Sequence, residues 1–439
     1  MKNVKRILFL LLILVIVVAA YNYPKLNILA GYSAKNTASS IFLANRTLAF
    51  TDSTDNNFSP VNLASTTINE QSKSASASVY GLLTRKAIVR DGLGAVLTLD
   101  KSDETASYLS PKRVKKVDKN AFPYWDLPQK DSVFSNVDYT KLNTEVSSML
   151  NQNKTRAILI IYKDKIIAEK YATGFTKESK LLGWSMTKSI VSTVYGVLQY
   201  QKKLHIKDKA PIASWQKDDR KHITISNLLQ MNSGLEWDEN YDEISDVTKM
   251  LFLERDMTKT QENKPLVAKP NTYWNYSSGT TNLLSGILRK TFATHQEYLD
   301  FWYTNLIDVI GMNSMLLEAD LSGNYVGSSY AWASARDWAK FGLLYLHNGN
   351  WNGKELFTKD WVNYVTTPTP TSNGAYGAQF WLNANNQMKD APKNLYYADG
   401  YLGQRIYILP DEDLVIVRLG LSDFDGNQFI KAILKTIQK

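Results

Sequence analysis

The chain has 439 residues, of which 44% are hydrophobic, 21% charged and 12% aromatic. This composition is typical of a folded globular protein with a sizeable core and excludes a disordered chain. The 51 Lys and Arg residues outnumber the 42 Asp and Glu residues by nine. An excess so small for the chain length argues against a nucleic-acid partner.

Cysteine is absent from the sequence, and histidine occurs four times. Without cysteine there is no disulfide framework, no thiolate metal site and no thiol nucleophile. The histidines lack the short spacing of a metal-ligand motif. We therefore predict no metal site and no cofactor.

The N-terminus carries three basic residues within its first six positions, followed by an apolar run at 7–20. This order is typical of an export signal. As a helix the run spans about 21 Å, less than the roughly 30 Å of a hydrocarbon core, which favours a cleaved signal. Tyr21 and Tyr23 also fit the interface of an uncleaved anchor. We predict that residues 1–30 are a signal peptide or signal anchor. The body then lies in the periplasm or cell envelope, held to the membrane by this segment or secreted after cleavage.

Residues 31–135 are predicted to form a small lead-in to the main domain. Residues 33–77 are rich in Ser, Thr, Asn and Ala, which predicts an irregular segment. Two apolar runs within 78–100 are separated by Asp91-Gly92. This pattern predicts a β-hairpin.

The main domain is predicted to span residues 136–439. Apolar runs at 157–162 and 166–171, and again at 404–409 and 414–419, indicate strand pairs near both of its ends. Helical patterns dominate between them. We predict an α+β fold, in which an antiparallel β-sheet is flanked by helices and carries an inserted helical subdomain.

The segment Ser185-Met186-Thr187-Lys188 opens an apolar helix. Its spacing places hydroxyl and amine on one face. A lysine whose charged form is disfavoured by burial can take the proton of a serine and make it a nucleophile. The alternative is an N-cap serine with a surface lysine. A second Ser-x-x-Lys, at 214–217, lies in a polar context and is interpreted as chance.

Two further segments have the composition of functional loops. The turn at 270–279 carries Tyr276, and a phenol beside a lysine can shuttle protons; aromatic packing of the turn is the alternative. Glycines at 399–404 permit close approach of a substrate to the backbone. An N–H of this segment, paired with that of Ser185, would form an oxyanion hole, whereas the alternative is an ordinary turn into a strand.

In this order, the three segments resemble the serine β-lactamase and penicillin-binding-protein superfamily. The resemblance is to its class C β-lactamase and 6-aminohexanoate-dimer hydrolase branch. It covers roughly residues 136 to 425 and includes 228–235, 332–337 and 341–345.

The resemblance implies a role for each matching residue. Ser185 would be the acylated nucleophile, Lys188 its base and Tyr276 the second-motif tyrosine. Tyr273-Trp274-Asn275 matches Tyr-x-Asn literally, but its spacing fits less well than that of Tyr276. The implied substrate-binding residues are Ser278, Tyr401, Gly403 and Gln404, with the Gln404 N–H as the second oxyanion donor.

Two departures from the family pattern bear on the substrate. Ser278 stands where β-lactamases have an asparagine that helps to hold the substrate amide. Tyr401-Leu402-Gly403 replaces Lys-Thr-Gly and removes the cation that would meet a substrate carboxylate. Both changes argue against efficient β-lactam hydrolysis and for another amide or an ester.

The sequence therefore predicts an exported serine hydrolase that cleaves a small-molecule amide or ester through an acyl-enzyme. One alternative is a catalytically silent penicillin-binding or envelope-binding module that kept the fold. Another is a cell-wall D-alanyl peptidase, which the missing lysine disfavours. The acidic run at 236–246 lacks the glycine of a calcium loop and is interpreted as a solvated loop.

Overall fold

The computed structural model describes residues 2–115, 122–123, 125, 134–152 and 154–438. The α-helices are α1 (Lys2–Phe42), α2 (Leu48–Phe50), α3 (Tyr139–Leu150), α4 (Thr187–Tyr200), α5 (Ile225–Leu229), α6 (Asp246–Leu253), α7 (Lys259–Glu262), α8 (Ser278–Thr291), α9 (His295–Trp302), α10 (Ala335–Leu346), α11 (Lys359–Thr366) and α12 (Gly426–Leu434). The β-strands are β1 (Ala64–Asn69), β2 (Ser74–Val79), β3 (Leu82–Arg90), β4 (Gly94–Leu97), β5 (Thr155–Tyr162), β6 (Lys165–Tyr171), β7 (Leu181–Leu182), β8 (Leu316–Leu317), β9 (Ala331–Ala333), β10 (Asn350–Trp351), β11 (Lys354–Glu355), β12 (Trp381–Leu382), β13 (Tyr396–Gly400), β14 (Gln404–Leu409) and β15 (Leu414–Gly420).

One compact unit comprises Met1–Ser107 and Glu239–Arg255. Its antiparallel sheet has the order β1-β2-β3-β4, and α1 packs against β2 and β3. Ala30, Ala34 and Ala38 are fully buried on α1. Their spacing of four places small side chains on one face, so the helix can lie close to the sheet. The prediction of an irregular segment at 33–77 is wrong, because many of its small residues belong to α1, β1 and β2, where they pack closely.

The second part of this unit, Glu239–Arg255, is inserted into the sequence of the other unit. It carries α6, on which Val247, Met250 and Leu251 are buried, and α6 packs against α1. Arg255 forms a salt bridge of 2.5 Å with Asp103. The acidic run predicted as a solvated loop thus leads, from residue 239 on, into a helix of the N-terminal unit.

The other compact unit comprises Tyr108–Asp238 and Asp256–Lys439. Its main sheet has the order β12-β13-β14-β15-β5-β6, with antiparallel neighbours throughout. β5 lies beside β15, so that Ile160 pairs with Ile416. The two ends of the domain therefore build one sheet, which confirms the predicted α+β class.

Helices cover both faces of this sheet. Ile416 belongs to a cluster with Val146 of α3 and Phe429 of α12. The adjacent Val415 faces α10 instead, where it meets Gly342. Neighbouring strand residues point to opposite faces, so β15 is apolar throughout rather than alternating.

Gly342 sets the distance between α10 and the sheet. A Cβ at this position would lie 2.6 Å from Cγ1 of Val415. Because Val415 is in a buried central strand, we expect Gly342→Ala to lower the free energy of unfolding by about 1–3 kcal/mol. Asn143→Ala, on the exposed face of α3, is the control and should change it by less than about 0.5 kcal/mol. Urea unfolding measures both, and equal stability of the two variants would contradict this packing.

Candidate active site

Ser185 lies in a single 3-10 turn directly before α4. The preceding Trp184 has φ +46°, which is unusual for a bulky residue and costs backbone energy. Two hydrogen bonds hold this turn: the Thr187 hydroxyl donates to the Trp184 carbonyl at 2.7 Å, and the Gly183 N–H donates to the Ala331 carbonyl at 2.8 Å. The nucleophile candidate is therefore fixed at the start of a buried helix.

Lys188 is 2% exposed. Its Nζ donates to Ser185 Oγ, to Ser278 Oγ and to the Ser328 carbonyl, each at 2.9 Å. These acceptors come from three separate segments of the chain. The structure thus brings the predicted residues Ser185, Lys188 and Ser278 together.

The Ser328 carbonyl is held in place by a side chain of α8. Asn282 Oδ1 accepts the Ser328 N–H at 3.0 Å, and Asn282 is fully buried. Sequence analysis missed both residues. A backbone carbonyl leaves no side-chain signal, but Asn282 follows Ser278 by four positions on α8 and so lies on the same face.

Tyr276 stands beside the lysine. Lys188 Nζ lies 4.9 Å from the centroid of its ring, within the range of a cation–π contact. Ser277 caps α8 by accepting the Thr280 N–H at 2.9 Å. This cap fixes the backbone directly after Tyr276 at the start of the helix. Tyr273, the literal match to Tyr-x-Asn, is 45% exposed. The geometry therefore favours Tyr276.

The end of β13 reaches the 3-10 turn that carries Ser185. A Cβ on Gly400 would lie 2.1 Å from the Gly183 carbonyl oxygen, so only glycine permits this approach. The Tyr401 ring meets the Trp184 ring edge to face, with centroids 5.6 Å apart, and remains 38% exposed.

Gln404 and Gly403 shape the turn between β13 and β14. The Gln404 side chain donates to the Gly420 carbonyl at 2.6 Å and accepts the Gly420 N–H at 3.0 Å. Gly403 has φ +74°, and its carbonyl accepts from Arg418 at 2.9 Å. The Gln404 side chain is thus engaged within the turn, and the role of the Gln404 backbone N–H as second oxyanion donor stays a prediction.

Asp399, the acidic residue of the 399–404 segment, pairs with Arg405. Asp399 Oδ1 accepts from Arg405 Nε at 2.6 Å. Burial raises the pKa of the Asp399 carboxyl, and the charge of Arg405 opposes that shift. Within the described part of the chain, no group of three or more His, Asp or Glu side chains could hold a metal ion.

The chain is similar to known proteins in sequence and in fold. The sequence model of the β-lactamase family matches residues 151–427. The 6-aminohexanoate-dimer hydrolase of Paenarthrobacter ureafaciens is 20% identical over 308 residues, covering 63% of this chain and 74% of that protein.

Solved structures show the same fold. The penicillin-binding protein from Bacillus halodurans has a TM-score of 0.51 at 16% identity, covering 66% of this chain and 99% of that one. A family VIII carboxylesterase has a TM-score of 0.54 at 12% identity, covering 68% and 97%. At these identities the likeness concerns the fold.

Asn282→Leu tests the support of the Lys188 site. Without the Oδ1 acceptor the Ser328 carbonyl loses its anchor, and we expect kcat/KM for p-nitrophenyl acetate to fall about tenfold or more, equivalent to ~1.4 kcal/mol. Rates are taken per active site titrated with a fluorophosphonate. Asn324→Leu removes another buried asparagine and controls for loss of stability. Equal rates per titrated site in both variants would contradict a positioning role for Asn282.

Proposed function

The chain belongs to the β-lactamase family, and from this we propose that it is an exported serine hydrolase acting on a small-molecule amide or ester through an acyl-enzyme on Ser185. The observation that carries the proposal is the 2.9 Å contact between Lys188 Nζ and Ser185 Oγ. The proteins to which this chain is similar include a 6-aminohexanoate-dimer hydrolase and, by fold, a carboxylesterase. The same reaction class accounts for the serine, lysine and tyrosine of this site.

In acylation, the neutral amine of Lys188 takes the hydroxyl proton and becomes an ammonium while Ser185 Oγ attacks the substrate carbonyl carbon. The negative charge that develops on the carbonyl oxygen would be met by the Ser185 N–H and by an N–H from the Gly400–Gln404 turn. Tyr276 passes the proton to the departing amine or alcohol. Water then attacks the ester on Ser185, loses its proton to the same groups, and the acid leaves as Ser185 regains its own proton.

Two alternatives use the same fold. A silent envelope-binding module would bind without turnover, and a D-alanyl peptidase would need a group to meet the substrate carboxylate. Tyr401 occupies the place of that group. Its side chain is a phenol rather than a cation, and its ring packs edge to face on Trp184. This favours an amide or ester without a carboxylate near the reacting carbonyl.

We further propose that residues 1–30 act as a retained anchor and that the hydrolase domain of 136–439 lies outside the cytosol. By length and composition, α1 is apolar enough to cross a membrane. Its residues 4–23 would span about 30 Å, and the large apolar side chains described there are exposed. The same helix continues without interruption to Ala34 and Ala38, which are buried in the N-terminal unit. Cleavage near residue 20 would cut through this helix. The basic residues before the apolar run would stay on the cytoplasmic side.

Covalent labelling tests the nucleophile. We expect a fluorophosphonate probe to label the parent protein at Ser185 and Ser185→Ala to abolish labelling. Ser214→Ala, in the second Ser-x-x-Lys, is the matched control because the Ser214 hydroxyl donates to Glu262 at 3.2 Å; it should label normally. Lys188→Ala should lower ester turnover by about 10³-fold or more. Labelling that survives Ser185→Ala would overturn the assignment.

Fractionation tests the anchor. In cells expressing the full chain, we expect the labelled hydrolase to sediment with membranes and to resist extraction with alkaline carbonate. Deletion of residues 2–21 should move it to the soluble fraction with unchanged labelling, since no residue of the candidate site is removed. Recovery of the expressed protein in the soluble fraction, with a mature N-terminus near residue 21, would show cleavage instead.

A further inference from the structure

Tyr276 belongs to a group of four packed rings, here called the aromatic wall: Trp274, Tyr276, Tyr376 and Trp381. The Tyr276 and Trp381 rings lie 5.4 Å apart at an interplanar angle of 37°. Tyr376 meets both edge to face, at 5.9 Å and 5.2 Å. Tyr276 and Trp381 are only half-buried. The wall therefore offers apolar ring surface next to Lys188 Nζ.

A buried glutamine holds this wall against the catalytic helices. Gln379 lies between Tyr376 and Trp381 with φ +66° and is 2% exposed. Its Oε1 accepts from the Thr281 hydroxyl of α8 at 2.9 Å, and its carbonyl accepts from the Ser189 hydroxyl of α4 at 2.7 Å. The segment that carries Trp381 is thus bonded to both helices of the site. A wall fixed in this way is pre-organised for binding.

On the third-motif side, the site also presents a ring. Tyr401 is held by its edge-to-face contact with Trp184, the residue before Ser185. An exposed phenol gives a substrate carboxylate no charge to pair with, whereas an ammonium in that place would.

We propose that the aromatic wall, with Trp381 as its specificity-determining residue, binds an uncharged apolar acyl group, and that Tyr401 makes the site select against acyl groups ending in a carboxylate. This inference rests on the proposed acyl-enzyme function and names its substrate class. Each methylene buried against the wall should raise kcat/KM about three- to fourfold until the wall is covered.

The test measures hydrolysis of p-nitrophenyl esters by the full chain. Acetate, butyrate, pentanoate and hexanoate vary the acyl length, and mono-p-nitrophenyl glutarate matches pentanoate in carbon number but ends in a carboxylate. For the parent we expect kcat/KM to rise along the neutral series and the glutarate ester to react at least about tenfold more slowly than the pentanoate. A flat series, or equal rates for the two five-carbon esters, would overturn the proposal.

Substitutions then separate the two sides of the site. Trp381→Ala should flatten the length dependence, whereas Tyr200→Ala, near the far end of α4 and bonded to Glu355, should leave it unchanged. Tyr401→Lys should raise the glutarate-to-pentanoate ratio of kcat/KM about tenfold, and Tyr401→Met, of similar length without charge, should not. A ratio that rises equally in both Tyr401 variants would show that loss of the ring, not charge, is responsible and would contradict the proposed role of Tyr401.

Failure of this inference is distinguishable from failure of the proposed function. Fluorophosphonate labelling of Ser185 is measured on every variant and does not depend on the acyl group of an ester. Labelling and turnover without selectivity would refute the substrate class alone. Absence of labelling and of turnover in the parent would refute both.

Discussion

The site depends on the burial of one amine, the side chain of Lys188. A polar group taken out of water is costly unless it is hydrogen-bonded. Its partners here are the Ser185 and Ser278 hydroxyls and the Ser328 carbonyl, each 2.9 Å from Nζ. Because each partner comes from a different segment, the three hydrogen bonds form only if α4, α8 and the loop before β9 are correctly placed relative to one another. Asn282 stabilises that placement through the Ser328 backbone.

The main sheet carries the remaining constraint. Helices cover both of its faces, and this packing fixes the position of the end of β13. At Gly400 this end contacts the turn that carries Ser185, and any side chain there would collide with the Gly183 carbonyl. Glycine therefore allows the end of β13 to pack directly against the turn before α4. The strained φ of Trp184 belongs to the same contact, since its ring packs on Tyr401.

The sequence predicted what local patterns and side-chain motifs encode. Apolar runs located β5, β6, β14 and β15, and the spacing of Ser185 and Lys188 located their contact. Long-range packing was not readable: small residues of α1 looked like an irregular segment, and nothing in α6 indicates that its apolar face is buried in the N-terminal unit. Contacts made by backbone groups could not be predicted from the sequence either. The Ser328 carbonyl has no side-chain signature, and an alignment of motifs does not show the close approach of Gly400 to the Gly183 carbonyl oxygen.

The account makes Ser185 the covalent carrier of the acyl group, and trapping that intermediate tests it most directly. The full chain is mixed with a p-nitrophenyl ester, quenched in acid within milliseconds to seconds and digested for mass spectrometry. The account predicts a peptide containing Ser185 that is heavier by the acyl group, and no such adduct in Lys188→Ala. Ester turnover by the parent with no acyl adduct on Ser185 at any quench time, or with the adduct on another residue, would contradict it.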